Sequence, residues 1–330
     1  MTLSVLIVNW NSKDYLRRCL QSIRGTCADL APQIIVVDGG SYDGCGQMLA
    51  TEFPEVTFIQ SAENLGFGRS NNLGFGQVTG DSLLFLNPDT ELKAGAISEL
   101  LAELERLPDA GALGAHLLDR HGHLQTNCVQ SFPTPLNQAL DSDLLRRLFP
   151  KSRMWGTAGV YASQSPVEVE AICGACLLMR SEVFRKVGGF SPEYFMYGED
   201  MDLCAKVRRS GLKVYHVPRA EVLHHGGASS TGSFEASSSI IMRESVFRFI
   251  RKHQGRLAAF RYRFLMTISS IVRIILLTPG SILRKKSWKT SMQKWIGILC
   301  WSVGAARRSR DPLRQPGHPP TAICAASPVK

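Results

Sequence analysis

Leu3-Ser4-Val5-Leu6-Ile7-Val8-Asn9-Trp10-Asn11-Ser12 is the stretch on which the fold turns. Its nearly continuous apolar run gives way to polar residues, as a strand buried on both faces does when it leaves a parallel sheet for a loop. Ser12 stands where it can cap the helix that follows, in which Tyr15, Leu16, Cys19, Leu20 and Ile23 recur at helical spacing. The pattern then repeats. Gln33-Ile34-Ile35-Val36-Val37 is a second buried run that ends at Asp38-Gly39-Gly40-Ser41, and Val56-Thr57-Phe58-Ile59 is a third. Ser82-Leu83-Leu84-Phe85-Leu86 is a fourth and ends at Asn87-Pro88-Asp89-Thr90. Such alternation predicts an α/β fold, a Rossmann-like and mostly parallel sheet with helices on both faces, whose ligands bind at the carboxyl ends of the strands. Trp10, Asp38 and Asp89 all stand there.

Farther along, Ile97, Leu100, Leu101 and Leu104 predict a helix over Ala94–Leu107, and Gly111–Ala115 follows it. Asp119–Val169 is irregular, polar and proline-containing, with Phe132-Pro133 and Trp155-Gly156 inside it, and reads as a substrate-facing or mobile segment. Ala171–Met179 returns the chain to the core, and Ser181 opens a helix as its cap. Gly66-Phe67-Gly68-Arg69-Ser70-Asn71 lacks the third glycine of a dinucleotide fingerprint and follows the third strand, not the first, so a dehydrogenase is discounted. Glu199-Asp200-Met201-Asp202 sets three carboxylates at the start of a helix that should stop near Gly211. They are too costly to bury without work or partners and are expected to line a cleft; the plainer alternative is a solvated helix start. Leu212–Val217 reads as a strand closed by Pro218, and a second short run, Glu221–Leu223, delivers His224 and His225 to a glycine- and serine-rich loop.

The composition, 44% hydrophobic and 20% charged over 330 residues, is that of an ordinary packed protein. A net charge of +10, much of it after Arg243, points to an anionic partner. Met1-Thr2-Leu3 runs straight into a strand without a secretory signal, so the nine scattered cysteines are read as reduced and cytosolic. Cys173-Gly174-Ala175-Cys176 has no second pair for zinc and reads as a packed segment. Phe264–Leu283 is apolar but interrupted by Arg273 and Pro279-Gly280, which fits a helix lying in a membrane interface better than one crossing it. Arg284-Lys285-Lys286 and Lys289 would then meet anionic headgroups, with Trp288 and Trp295 at the interface. A helical subdomain packed on the rest is the alternative. The organisation expected is a catalytic domain over 1–235, a basic amphipathic helical region over 236–306, and a disordered tail over 307–330. A chain cut after Ser239 is expected to fold.

Asp38 at a strand tip, Asn87-Pro88-Asp89-Thr90, Gly188-Gly189-Phe190, Glu199-Asp200 and His224, in that order, resemble the family 2 glycosyltransferases, and among them bacterial rhamnosyltransferases of surface-polysaccharide synthesis. The resemblance covers about Leu3–Ser230. It implies a GT-A fold and transfer with inversion from a nucleotide-diphosphate sugar, dTDP-rhamnose by closeness to that branch. It further implies that Asp38 hydrogen-bonds the donor base, that Trp10 borders it, and that Asn87-Pro88-Asp89 takes the place of the Asp-x-Asp motif. Asp89, with His224, would hold Mn2+ or Mg2+, and Asp200 would be the catalytic base. The Asn at 87 and Gly39-Gly40 after Asp38 depart from the usual pattern. The acceptor implied is a glycan or polyprenyl-linked glycan met at the inner face of a bacterial cell membrane, with the anionic membrane surface and not nucleic acid as partner. A different donor, or an inactive sugar-nucleotide-binding protein, is the alternative.

Overall fold

In the computed structural model, which describes residues 2–149, 152, 154, 159–226, 234–278 and 286–304, the expected alternation runs through the first four strands. β1 (Leu3–Asn9), α1 (Lys13–Thr26), β2 (Gln33–Asp38), α2 (Cys45–Glu52), β3 (Thr57–Gln60), α3 (Phe67–Phe75) and β4 (Ser82–Leu86) follow one another. The next elements are β5 (Thr90–Leu92), α4 (Ala96–Arg106) and β6 (Ala110–Leu118). The stretch expected to be irregular holds β7 (Val129–Gln130), α5 (Pro135–Leu140), α6 (Asp143–Leu148) and β8 (Val167–Val169). Trp155-Gly156 lies outside the described residues. β9 (Ala171–Ile172), β10 (Cys176–Arg180), α7 (Ser181–Lys186), α8 (Glu199–Arg209) and β11 (Lys213–His224) complete the sheet region.

One nine-stranded sheet runs β3-β2-β1-β4-β10-β6-β11-β5, with β8 also paired to β11. β10 runs against β4 and β6, and β5 and β8 run against β11, which leaves six strands sharing one direction. Pairing of Asn9 with Asp38 and of Thr90 with His224 aligns the carboxyl ends of β1, β2 and β11 with the turn after β4. Leu6, Ile7, Ile35, Val36, Val37 and Leu83–Phe85 are buried on both faces, as their unbroken apolar runs require.

Local chemistry departs from expectation at three residues, Ser12, Ser181 and Pro218. Ser12 does not cap α1: its Oγ donates to the Trp10 carbonyl, and the Lys13 N–H donates instead to Asp43 Oδ2 at 2.8 Å. Ser181 is the first residue of α7, and its Oγ donates to the Gly80 carbonyl. Pro218 does not close a strand, because β11 carries it through an irregularity between Val217 and Glu221, where the register against β6 shifts. The Gly66 and Gly68 pair serves close packing: a Cβ on Gly66 would lie 2.1 Å from the Phe195 carbonyl oxygen, and one on Gly68 3.1 Å from Phe190 Cβ. Cys176 sits within β10 and Cys173 just before it, and burial pushes both thiols up, which suits packing and not metal or redox chemistry.

Three helices, α9 (Phe234–His253), α10 (Arg256–Leu277) and α11 (Lys286–Ser302), pack around Val246, Ile250, Tyr262, Met266, Ile298 and Trp301. The division expected at residue 235 coincides with the start of α9, but α9 belongs to both halves. Its Phe249 joins the main core, beside Phe132 at 5.4 Å between ring centroids. Among the described residues, no helix is long and apolar enough to cross a membrane. Pro279-Gly280, Arg284-Lys285, the glycine- and serine-rich residues 227–233 and those over 307–330 lie outside the described residues.

Candidate active site

The turn after β4 is closed by Thr90, whose N–H and Oγ1 both donate to the Asn87 carbonyl, while the Asn87 N–H donates to the Ala175 carbonyl at 2.9 Å. Pro88 fits this turn, and Asp89 projects from it. The antiparallel partner strand delivers His224 opposite Thr90, so that His224 Nε2 lies 3.4 Å from Asp89 Oδ1. Both residues are nearly buried. Gln125 fixes the ring: its Nε2 donates to the His224 carbonyl at 2.6 Å, which turns its Oε1 toward Nδ1 at 2.8 Å. An amide oxygen against Nδ1 places the proton there and leaves the Nε2 lone pair facing a carboxylate oxygen. Carboxylate and imidazole thus face one another across 3.4 Å. The residue types and the hydrogen-bonded second nitrogen therefore fit a divalent cation. Among the described residues no third Asp, Glu, His or Cys joins the pair, so such an ion takes its remaining ligands from water and phosphate. Beside it, His225 Nε2 meets Glu91 Oε1 at 2.7 Å.

At the tips of β1 and β2, Trp10 is half-buried, and a Cβ on Gly39 would stand 3.4 Å from both Trp10 Cδ1 and Asn64 Cα. The Gly39 that departs from the family pattern is thus where backbone and indole come close. Asp38 is fully buried and accepts from Asn9 Nδ2, the Ser41 N–H and Oγ, and the Cys45 thiol, at 2.6–3.2 Å. Its carboxylate orders the loop at Gly39–Ser41, at the strand tip where a hydrogen bond to the donor base is expected. Cys45, buried beside that charge, is pushed up to about 12.

The three carboxylates of α8 meet three environments. Tyr197 (φ 67°) and Gly198 (φ 86°) both take the left-handed conformation and turn the chain sharply into the helix. Asp200 accepts from the Met201 N–H at 2.7 Å, the Gly174 N–H at 3.2 Å and Gln130 Nε2 at 3.3 Å. Burial raises its proton affinity against the pull of these donors. Glu199 is pushed up to about 8, by burial first and then by the Asp200 charge, and its Oε2 has no hydrogen-bond partner among the described residues. Asp202, also fully enclosed, accepts from Ser191 Oγ at 2.5 Å and stands 2.9 Å from Lys252 Nζ and 2.7 Å from His253 Nε2. Burial alone would raise its carboxyl, but the hydrogen bonds from His253, Ser191 and Lys252 outweigh it and hold the group well below the usual carboxylate range.

Asp200 and the turn at Asn87 are tied through two residues: Gly174 donates to Asp200, and Ala175 accepts from Asn87. A side chain at Gly174 would press within 3.2 Å of the Phe67 ring. The structure therefore brings Asn87, Asp89, His224 and Asp200 to one edge of the sheet, with Trp10 on the same edge at the tip of β1. Gln125 and Gln130, which orient His224 and touch Asp200, carry no motif. The signal that could have pointed to them is the length of the irregular stretch in which they lie.

Fold and site define a GT-A-like α/β domain whose sheet edge gathers carboxylate and imidazole groups suited to a diphosphate and its metal. The pattern of "Glycosyl transferase family 2" matches residues 4–188, and that of the "N-terminal domain of galactosyltransferase" matches 157–226. The chain belongs to glycosyltransferase family 2. It is 31% identical over 304 residues to the N-acetylglucosaminyl-diphospho-decaprenol L-rhamnosyltransferase of Mycobacterium tuberculosis, covering 88% of this chain and 97% of the relative. Rhamnosyltransferase WbbL of Escherichia coli is 24% identical over 258 residues, 75% of this chain and 92% of its own. Among solved structures, the mannosyltransferase PcManGT from Pyrobaculum calidifontis, in complex with GDP-Man and Mn2+, superposes with a TM-score of 0.57. It shares 15% identity and covers 93% of this chain and 88% of its own, a likeness of fold.

Proposed function

We propose that this glycosyltransferase moves rhamnose with inversion from dTDP-rhamnose to a polyprenyl-diphosphate-linked sugar, at the inner face of the cell membrane, in cell-surface polysaccharide synthesis. The observation that carries the reading is the facing pair of Asp89 and His224 tied to Asp200 through Gly174-Ala175. Trp10 borders the base, the loop ordered by Asp38 shapes its pocket, and Asn87 lines the approach of the diphosphate. Asp89 and His224 would hold Mn2+ or Mg2+, which supplies a Lewis acid for the charge of the departing diphosphate. Asp200 takes the proton of the acceptor hydroxyl as that oxygen attacks the anomeric carbon. One displacement inverts the centre. Retention by a carboxylate nucleophile is disfavoured because Asp202 is sealed by its partners and Glu199 is kept neutral by burial. The rhamnosyltransferase relatives support the donor, and the decaprenol-linked name of the mycobacterial one supports the acceptor class.

The test is nucleotide release from a panel of sugar nucleotides by the purified protein, with and without excess chelator. Release of dTDP that needs both metal and a polyprenyl-diphosphate sugar supports the reading. Full activity in chelator removes the metal role, and sugar-nucleotide binding without turnover of any donor makes the chain an inactive binding protein.

A further inference from the structure

The outer face of α10 breaks the usual rule for a helix on a water-soluble protein, which turns its polar residues to solvent. Ala259, Tyr262, Met266 and Ser270 face inward and are buried, yet the opposite face presents Leu257, Phe260, Phe264, Ile268, Ile271 and Ile275, all exposed, Phe260 at 68%. These positions recur at intervals of three and four, so they form one stripe along a helix about 33 Å long at 1.5 Å per residue. Arg273, the charge that breaks the apolar run in sequence, is not on this stripe. Its Nη2 donates to the Asp141 carbonyl at 2.6 Å, and its guanidinium stacks over Trp295 at 4.2 Å. Arg263 likewise turns inward, to the carbonyls of Trp301 and Ser302. Arg256 and Arg261 remain exposed, and Arg261 can keep its head in water while its stem lies along the stripe. Alongside, α5 is held to α10 by Ser269 Oγ and Arg273 and exposes Leu136 and Leu140.

We infer that α10 lies in the plane of an anionic bilayer with the Leu257–Ile275 face immersed at the headgroup boundary, resting on the lipid-linked-acceptor reading above. Charge selects this occupant. Residues 234–302 hold 13 Lys and Arg against two Asp and Glu, net +11, so the remainder of a chain that is +10 overall is net −1. A second copy would bring two such regions together and repel, whereas an anionic leaflet attracts them. Residues 305–330 contain Leu313, Ile323 and Val329 as their large apolar residues, too few to match the stripe. With no helix among the described residues able to cross, attachment along the surface is the geometry that fits this face. The face also adjoins the acceptor side of the site. Phe132, packed on α9, lies two residues past Gln130, which touches Asp200, and three before α5.

Flotation of the full-length protein with phosphatidylethanolamine vesicles, with and without phosphatidylglycerol, reads this directly. The native protein should float with the anionic vesicles. Phe264→Glu with Ile275→Glu should lower binding by at least about tenfold. Leu73→Glu, at an exposed apolar residue on α3, should bind like the native protein. Nucleotide release with a water-soluble acceptor should stay within about twofold in both variants, which shows that they are folded. Native protein that does not float, or a double variant that floats undiminished, overturns the inference. So does a double variant that converts a lipid-free dimer to monomers, since the face would then belong to a second copy. Flotation lost in the double variant while no donor is turned over supports the docking face and counts against the transferase reading alone; thermal unfolding of the variants then replaces turnover as the check on folding.

Discussion

Asp200 and Asp202 carry the same functional group two residues apart on α8, and their surroundings divide the work between them. Burial raises the proton affinity of Asp200 against the pull of its donors, the direction that suits the proton abstraction proposed for it. Asp200→Asn is expected to lower transfer by about 10²–10⁴-fold while nucleotide binding, followed by titration calorimetry, is kept. Asp202→Asn should instead act on stability, by about 3–5 kcal/mol in denaturant unfolding, because it leaves Lys252 and His253 facing a neutral group. Since the Asp202 carboxyl is held below its ordinary range, its contribution is full above about pH 4 and is lost as pH falls through the lowered value. His216 works in a different window. Burial lowers it to about 4 from 6.5, so between those values the unfolded chain binds a proton that the folded one refuses. Stability should therefore fall as pH drops from about 6.5 to 4, by about 2–3 kcal/mol at most, and His216→Phe should flatten that part of the profile.

Between elements, the start of α3 and the segment before α8 approach closely. Gly66 has a φ of 79°, and its missing Cβ would overlap the Phe195 carbonyl. Gly66→Ala should lower the melting temperature and weaken turnover together, because relief requires moving the chain that leads to Asp200. A variant with native stability and activity would refute that coupling. The same contact shows where the sequence is legible. Strands β1, β2 and β4 could be read because burial on both faces imposes unbroken apolar runs, and Asp89 and His224 could be placed because each ends a run at a strand tip. The rank of β10 between β4 and β6 could not, since its pairing is long-range and its residues read as any buried segment. The caps failed for a related reason: Asp43, 30 residues away, serves Lys13 better than adjacent Ser12 does. Asp38 could be placed at a strand tip, but its enclosure by Asn9, Ser41 and Cys45 depends on a loop conformation that no local pattern encodes.

Across the whole molecule, the helical region and the sheet domain are joined through α9, which contributes Phe249 to the main core and Lys252 and His253 to Asp202. Cutting the chain after Ser239 should therefore yield an unstable or insoluble fragment, against the expectation from composition that it would fold, whereas a cut after Gly304 retains every contact described. Soluble expression and thermal unfolding of the two products decide it. The bond between Asp202 and His253 also has a bearing on how the protein is made. Its partners lie 51 residues apart, so at roughly 5–20 residues per second the ribosome emits Asp202 some 3–10 s before the imidazole that bonds it. Within that interval β11, the last strand of the sheet, is completed at His224, yet the chain still lacks the partners that let α8 seat, so the site can close only once α9 has emerged.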